Sequence, residues 1–256
     1  DRLAALAGEI GPAAAAVQMD VAREADIIAG FDAAEAAFGP VDTVIANAGV
    51  DGAGMATTIS EEEIEQTLAI NLKGAILTAR EGAKRMMAQG VTKGRIVMIA
   101  SITAFEPSPG LVAYAASKAG VVQAGRTMAR EWARTGINVN TVSPGYIRTA
   151  INDAWFDTEP GKKQIAKFPK RRLMGEEGLD AMMLFLCSDA SFAINGSELR
   201  ADCAFSSSSS RMMSLHSSTH SSQMNTLGPA ISLRTSCWLF PQNEQYRILV
   251  LSPERP

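Results

Sequence analysis

Histidine is missing from the first 205 residues of this 256-residue chain; His216 and His220 both fall in the last 51. A Ser-His-Asp or Cys-His centre is therefore excluded from the main body, and a catalytic zinc site, which leans on imidazole ligands, is disfavoured there. Cysteine is nearly as scarce. Cys187, Cys203 and Cys237 are odd in number and widely spaced, which fits neither a disulfide framework nor a metal knuckle and implies a reducing cytoplasm. No apolar run reaches the roughly 18 residues of a membrane span. Nor is there an excess of positive charge. A net charge of −3 and a pI of about 5.5 offer no footprint for nucleic acid and no basic face for a membrane. The first residues, Asp1-Arg2-Leu3, carry neither an initiator Met nor a basic-then-apolar leader, so the chain reads as beginning partway through a longer sequence.

What is present divides near residue 205. Residues 206–256 contain 13 serines, five of them consecutive from Ser206 to Ser210, and only two acidic residues, Glu244 and Glu254. No sustained period of 2 or 3.6 appears there, and the expectation is a Ser-rich tail of low order. Residues 1–205 instead alternate apolar runs with amphipathic ones. Strands are expected at Ala14–Met19, Val41–Ala46, Arg95–Ala100, Ile137–Val142 and Ser197–Ala201. Helices are expected at Ala25–Phe38, from the Ser60-Glu61-Glu62-Glu63 capping box to about Ala88, at Val112–Arg134 and at Gly178–Cys187. Apolar strands separated by helices predict a parallel sheet covered on both faces, with the site at the carboxyl ends of the strands.

The residues that follow those strands are Asn47-Ala48-Gly49, Ser101 and Ser143-Pro144-Gly145. The long helix opens with Tyr114-Ala115-Ala116-Ser117-Lys118, which puts Tyr114 and Lys118 at i and i+4 on one face. A phenol with a pKa near 10 is a poor acid–base catalyst at neutral pH. An ammonium one turn away favours the phenolate and lowers that value, giving a proton donor and acceptor without histidine. Ser101 can hydrogen-bond a substrate oxygen beside it. Taken alone, the Tyr–Lys pair is an ordinary helix pair; the constellation of strand-end residues reverses that reading. Gly52-Ala53-Gly54 also follows a strand, but no third Gly and helix complete a dinucleotide fingerprint.

These motifs resemble those of the short-chain dehydrogenase/reductase family over about residues 1–202. Tyr114 and Lys118 match its Y-x-x-x-K, Ser101 its Ser thirteen residues earlier, Asn47-Ala48-Gly49 its N-A-G, Asn71 its helix Asn, and Pro144-Gly145 its P-G with Ile147 and Thr149 following. Asp20, followed by Val21, matches the acidic residue that ends its third strand. The resemblance implies a Rossmann-like, doubly wound α/β fold and a hydride transfer between NAD or NADP and a small carbonyl or secondary alcohol. It implies that Tyr114 is general acid and base, that Lys118 lowers the Tyr pKa and binds the nicotinamide ribose, and that Ser101 orients substrate. Asn71 would hold a relay water. Asp20 and Val21 would meet the adenine, Asn47 to Gly49 would line the ribose, and Pro144, Gly145, Ile147 and Thr149 would stand by the nicotinamide, the last two at its carboxamide. It also implies a homotetramer built on the two long helices.

The resemblance further implies that a first strand, a T-G-x-x-x-G-x-G turn and a second strand precede residue 1. The choice between NAD and NADP, which the second strand makes, therefore stays open. In the family's order 3-2-1-4-5-6-7, the strands at 14–19 and 41–46 then either pair directly or leave the first as a stray edge, and weak folding is expected. The run Leu199-Arg200-Ala201-Asp202-Cys203-Ala204 lacks the usual glycines, which puts the final turn in doubt. A substrate loop over about 148–173 carries Trp155, Phe156 and Phe168, expected as an apolar pocket wall. It also carries Lys162, Lys163, Lys167, Lys170, Arg171 and Arg172, for which a solvated basic face is favoured over an anion site. Two other readings are open at this level: a non-catalytic subunit that associates with full-length homologues, and an acyl-transfer hydrolase using Ser101 or Ser117, which the missing histidine opposes.

Overall fold

The computed structural model describes residues 2–148, 153–202 and 247–251. Helix α1 (Arg2–Ile10) leads into β1 (Ala14–Gln18), α2 (Glu24–Phe38) and β2 (Thr43–Ala46). A long helical stretch follows: α3 (Glu61–Leu68), a π-helical segment (Ala69–Gly74) and α4 (Ala75–Ala88). Then come β3 (Gly94–Ile99), α5 (Val112–Glu131) and β4 (Ile137–Pro144). The chain continues through α6 (Asp153–Phe156), α7 (Glu159–Lys167), α8 (Asp180–Leu186), β5 (Glu198–Ala201) and β6 (Arg247–Leu251).

Four strands form a parallel sheet in the order β2-β3-β4-β5. This is the expected succession, with helical connections between successive strands through α3–α4, α5 and α6–α8. The local signals are as anticipated. Ser60 Oγ accepts from Glu63 N and the Glu63 carboxylate accepts from Ser60 N, so the capping box starts α3. Gly90 and Gly136, at φ +70° and +80°, end the turns after α4 and α5 in a conformation that disfavours a side chain.

Helices α4 and α5 cover one face of the sheet, where Val44, Ile96, Met98, Ile137 and Val139 join Ala79, Ala83, Val121 and Val122 in the main core. Helix α8 covers the other, burying Met183 and Leu186 on Val97 and Val142. The β1–α2 unit belongs to the main core through Met19, Val21, Ile27 and Phe31. It is also tied to α4 by Arg85, which donates to Glu35 at 2.6 Å and to Asp32 at 2.7 Å.

Neither expectation for the first strand holds. Strand β1 does not pair with β2; it pairs antiparallel with β6, with Ala14 opposite Leu251 and Gln18 opposite Arg247. Five residues of the stretch expected to lack order are thus a strand; the rest of 203–256 lies outside the described residues. The run Arg247-Ile248-Leu249-Val250-Leu251 is apolar and largely branched, a strand composition, and β1 offered it an unpaired row of backbone groups. The opposite end also differs from expectation in a favourable way. Despite the missing glycines, β5 pairs with β4 up to Pro144 opposite Ala201, and Gly145 N donates to Ala201 O at 2.7 Å.

Candidate active site

The carboxyl ends of β2, β3 and β4 lie at one edge of the sheet, and α5 runs antiparallel to the strands it covers, so its first turn returns to that edge. Tyr114 and Lys118 both sit in that first part of α5 and are buried, Lys118 almost completely. The Lys118 Nζ donates to the carbonyl of Ile99, the last residue of β3, at 3.0 Å and stands 5.6 Å from the centroid of the Tyr114 ring. Burial alone pushes the Lys118 ammonium down to about 8, because removal from water disfavours the charged form.

Gly49, at the end of the Asn47-Ala48-Gly49 turn, approaches the same point. A Cβ built on it would lie 3.2 Å from Asn71 Oδ1 and 3.4 Å from Lys118 Nζ. Asn71 is buried in the π-helical segment. Its Oδ1 accepts from Val50 N at 2.7 Å, and its Nδ2 donates to Val50 O at 2.8 Å and to Ser117 Oγ at 3.1 Å. The side chain therefore clamps the turn after β2 to helix α5. The helix through 61–88 is continuous as expected, but the π-helical stretch within it is an addition, and such segments are often found where function needs a local change of helical pitch.

Ser101 follows β3 at the same edge. It is buried, and its Oγ accepts from Thr103 N at 3.2 Å, capping a short 3-10 turn over Ile102–Ala104 that packs against α5. The Ser101 O–H keeps its capacity to donate. On the second flank, Gly145 sits where a Cβ would collide with the Asp202 carboxylate, and Ile147 bridges to Met174. Thr149 lies outside the described residues. Asn47 and Ala48 are half-buried beside Gly49.

Asp20 and Val21 mark the end of β1. Asp20 Oδ1 accepts from Ala22 N at 2.9 Å, a cap on the strand end. Val21 is buried and packs on Gly74, the last residue of the π segment. The structure thus brings Gly49, Asn71, Tyr114 and Lys118 together with Ser101 at their strand edge. It gives Val21 a packing duty in the core.

Beyond Gly145, the aromatic residues are arranged otherwise than expected. Phe156 and Phe168 are buried, Phe168 stacked on Tyr146 at 5.1 Å and Phe156 edge-on to it at 6.0 Å. They form the interior of the α6–α7 unit, and Trp155 is the one of the three left at its surface. The six basic residues of this stretch are all exposed, as a solvated face requires. Among the described residues no cluster of His, Cys, Asp or Glu could hold a metal ion, and no helix is long and apolar enough to cross a membrane.

Two partners of the site were not legible as such. Val50 contributes only backbone, which no residue pattern announces. Ser117 had a signal: a serine three residues after Tyr114 is at the spacing for bonding back to that residue's carbonyl, and its Oγ does so at 2.7 Å.

Residues 1–206 match the family model described as Enoyl-(Acyl carrier protein) reductase. The chain is 37% identical over 183 residues to D-threitol dehydrogenase of Mycolicibacterium smegmatis, covering 72% of this chain and 70% of the relative. It is 34% identical over 194 residues to 2-(R)-hydroxypropyl-CoM dehydrogenase of Xanthobacter autotrophicus, covering 74% and 76%. Among solved structures, a gluconate 5-dehydrogenase from Burkholderia cenocepacia in complex with NADP and tartrate superposes with a TM-score of 0.68 at 31% identity, covering 72% of each chain.

Proposed function

This chain belongs to the short-chain dehydrogenase/reductase family of oxidoreductases, and on that premise we propose that it moves a hydride between NAD or NADP and a small carbonyl or secondary alcohol, with Tyr114 as general acid and base. The observation that carries this reading is the buried Lys118 ammonium, one turn from Tyr114 and 5.6 Å from its ring. A fully buried cation with one backbone carbonyl as its hydrogen-bond partner is unfavourable for stability, and catalysis gives it a purpose.

The nicotinamide and its ribose fit the residues present. Gly49 leaves open the space that a Cβ would fill against Asn71 and Lys118, and an ammonium has three donors, of which Ile99 takes one. Lys118 and the Asn47–Gly49 turn would hold the ribose, Pro144, Gly145, Ile147 and Thr149 would stand by the nicotinamide, and Asp20 and Val21 would mark the adenine side. When bound, the nicotinamide supplies or accepts the hydride.

The protein's own part is proton handling and orientation. Ser101 donates a hydrogen bond to the substrate oxygen and fixes it beside Tyr114. In reduction the Tyr114 hydroxyl gives its proton to that oxygen; in oxidation the phenolate takes the proton back. Lys118 makes both directions accessible by favouring the phenolate. Asn71, whose Oδ1 accepts one bond, from Val50 N, would hold a water that passes protons between Lys118 and solvent. We extend the proposal to a homo-oligomer formed through the helices at about 61–88 and 112–134, as the family resemblance implies, and to residues 1–205 as its catalytic unit.

The test is nicotinamide-coupled turnover on a panel of secondary alcohols, sugar acids and their ketones, with wild type beside Tyr114→Phe. Loss of roughly 10²- to 10⁴-fold in kcat for the variant is expected, the usual contribution of a positioned acid or base. Turnover that survives the loss of the hydroxyl undiminished would sink the assignment.

A further inference from the structure

Ser117 has no part in the proton transfer described above, yet it is fully buried between the two helices that carry the site. Its hydroxyl is used from both sides. It donates to Tyr114 O at 2.7 Å and accepts from Asn71 Nδ2 at 3.1 Å. Asn71 in turn holds both backbone groups of Val50, one residue past Gly49. A continuous chain of hydrogen bonds therefore runs from the turn after β2, through the π-helical segment, to the backbone of Tyr114.

We infer that Ser117 is a positioning residue for the reaction: by tying the Tyr114 carbonyl to Asn71, it sets the height of the Tyr114 ring relative to Lys118 and Gly49. This rests on Tyr114 being the acid and base. The first turn of α5 has need of such a tie. Its N-cap residue, Leu111, makes no side-chain capping bond, so the orphan amides there receive no help from a Ser, Thr, Asp or Asn. The loop leading into it is held by backbone pairing of Gly54 N with Gly110 O at 2.7 Å, four residues before Tyr114. Ser117 ties the first turn of α5, through the Tyr114 carbonyl, to Asn71 on the neighbouring π-helical segment. A hydroxyl has one donor and two acceptor sites, and here the donor and an acceptor are both engaged. Removing it leaves an Asn71 N–H buried without a partner, and buried polar groups are paired wherever the fold permits.

The consequence is chemical as well as structural. The influence of an ammonium on a phenol falls with separation. Letting the first turn of α5 relax moves the ring away from Lys118, and the phenol pKa rises.

The experiment compares Ser117→Ala with wild type and Tyr114→Phe in the full chain. Alanine is the best helix former, so the helix itself is kept. Ser117→Cys, of similar volume and with a weak donor, carries the test if the alanine variant does not fold. Two quantities are read. The first is the Tyr114 phenol pKa, taken from phenolate absorbance after subtraction of the Tyr114→Phe titration, which removes Tyr146 and Tyr246. The second is the pH profile of kcat for alcohol oxidation. The inference predicts that both move to higher pH together in Ser117→Ala, with kcat near neutrality falling roughly tenfold and KM within about twofold, the pattern of a group felt in the transition state rather than in binding. The cysteine variant lies between.

A phenol pKa and kcat profile equal to wild type in a folded Ser117→Ala, with Tyr114→Phe inactive, overturns the role of Ser117 and leaves that of Tyr114 intact. An active Tyr114→Phe overturns both.

Discussion

Lys118 is the residue at which stability and activity are most plainly opposed. Its side chain lies in the core, and its pKa is depressed from 10.5 to about 8 by burial. Below the folded value both states carry the proton, and the folded state bears the whole penalty of a buried ammonium. Between about 8 and 10.5 the unfolded chain binds more protons than the folded one, so the stability of the protein rises with pH across that window. A Lys118→Met variant is expected to lose turnover, to be more stable near neutral pH by on the order of 3 kcal/mol, and to lack the rise between pH 8 and 10.5. Urea melts of both proteins across this range check it; identical slopes would show that the ammonium is solvated.

Gly49 is legible at the same scale only in part. The sequence marks it within Asn47-Ala48-Gly49, but not the reason a side chain is excluded there. Asn71 and Lys118 flank the missing Cβ, and each is pinned by its own hydrogen bonds. Neither can yield freely, so Gly49→Ala is expected to weaken cofactor binding more than it weakens folding. Calorimetric titration alongside a melt distinguishes the two, and an equal loss in both would contradict the assignment.

At the scale of elements, the strands and long helices were readable because their periods and boundary signals agree. The capping box at Ser60 and the left-handed glycines at 90 and 136 stand where the pattern required them. The π-helical segment was not readable. Ala69-Ile70-Asn71-Leu72-Lys73-Gly74 has ordinary helical composition, and its change of pitch follows from tertiary partners: Asn71 reaches Val50 and Ser117, and Gly74 admits Val21 where a Cβ would collide. Helix α1 was missed for a related reason. Its nine residues hold one deeply buried side chain, Leu3, too little to set a period.

Asn71 links three elements, and its removal is expected to be costly in each. Asn71→Leu leaves Val50 N–H and C=O both unpaired in the core, a penalty of roughly 2–6 kcal/mol at about 1–3 for each orphan. Chemical denaturation measures it. A loss below about 1 kcal/mol would mean that water replaces the amide at once.

At the scale of the whole molecule, the parallel order β2-β3-β4-β5 was legible and the fate of β1 was not. Backbone pairing between β1 and a segment more than 200 residues later has no local signature, and the Ser-rich composition before it argued against any strand. Because β1 and β6 pair only with each other among the described residues, residues 14–18 should lose protection when the tail goes. In hydrogen exchange, a chain ending at residue 205 is expected to exchange rapidly at Ala14 to Gln18 while β3 and β4 stay protected. Unchanged protection at β1 would show that α1 and α2 suffice to hold it.

The measurement that tests the central claim most directly is a titration of the full chain with NADH and with NADPH, following the fluorescence of the reduced nicotinamide, in wild type and Lys118→Met. The account predicts saturable enhancement with at least one of the two, lost or greatly weakened when the ammonium is removed. Absence of saturable binding with both, or binding indifferent to Lys118, would contradict a nicotinamide centre at the Tyr114–Lys118 edge of the sheet.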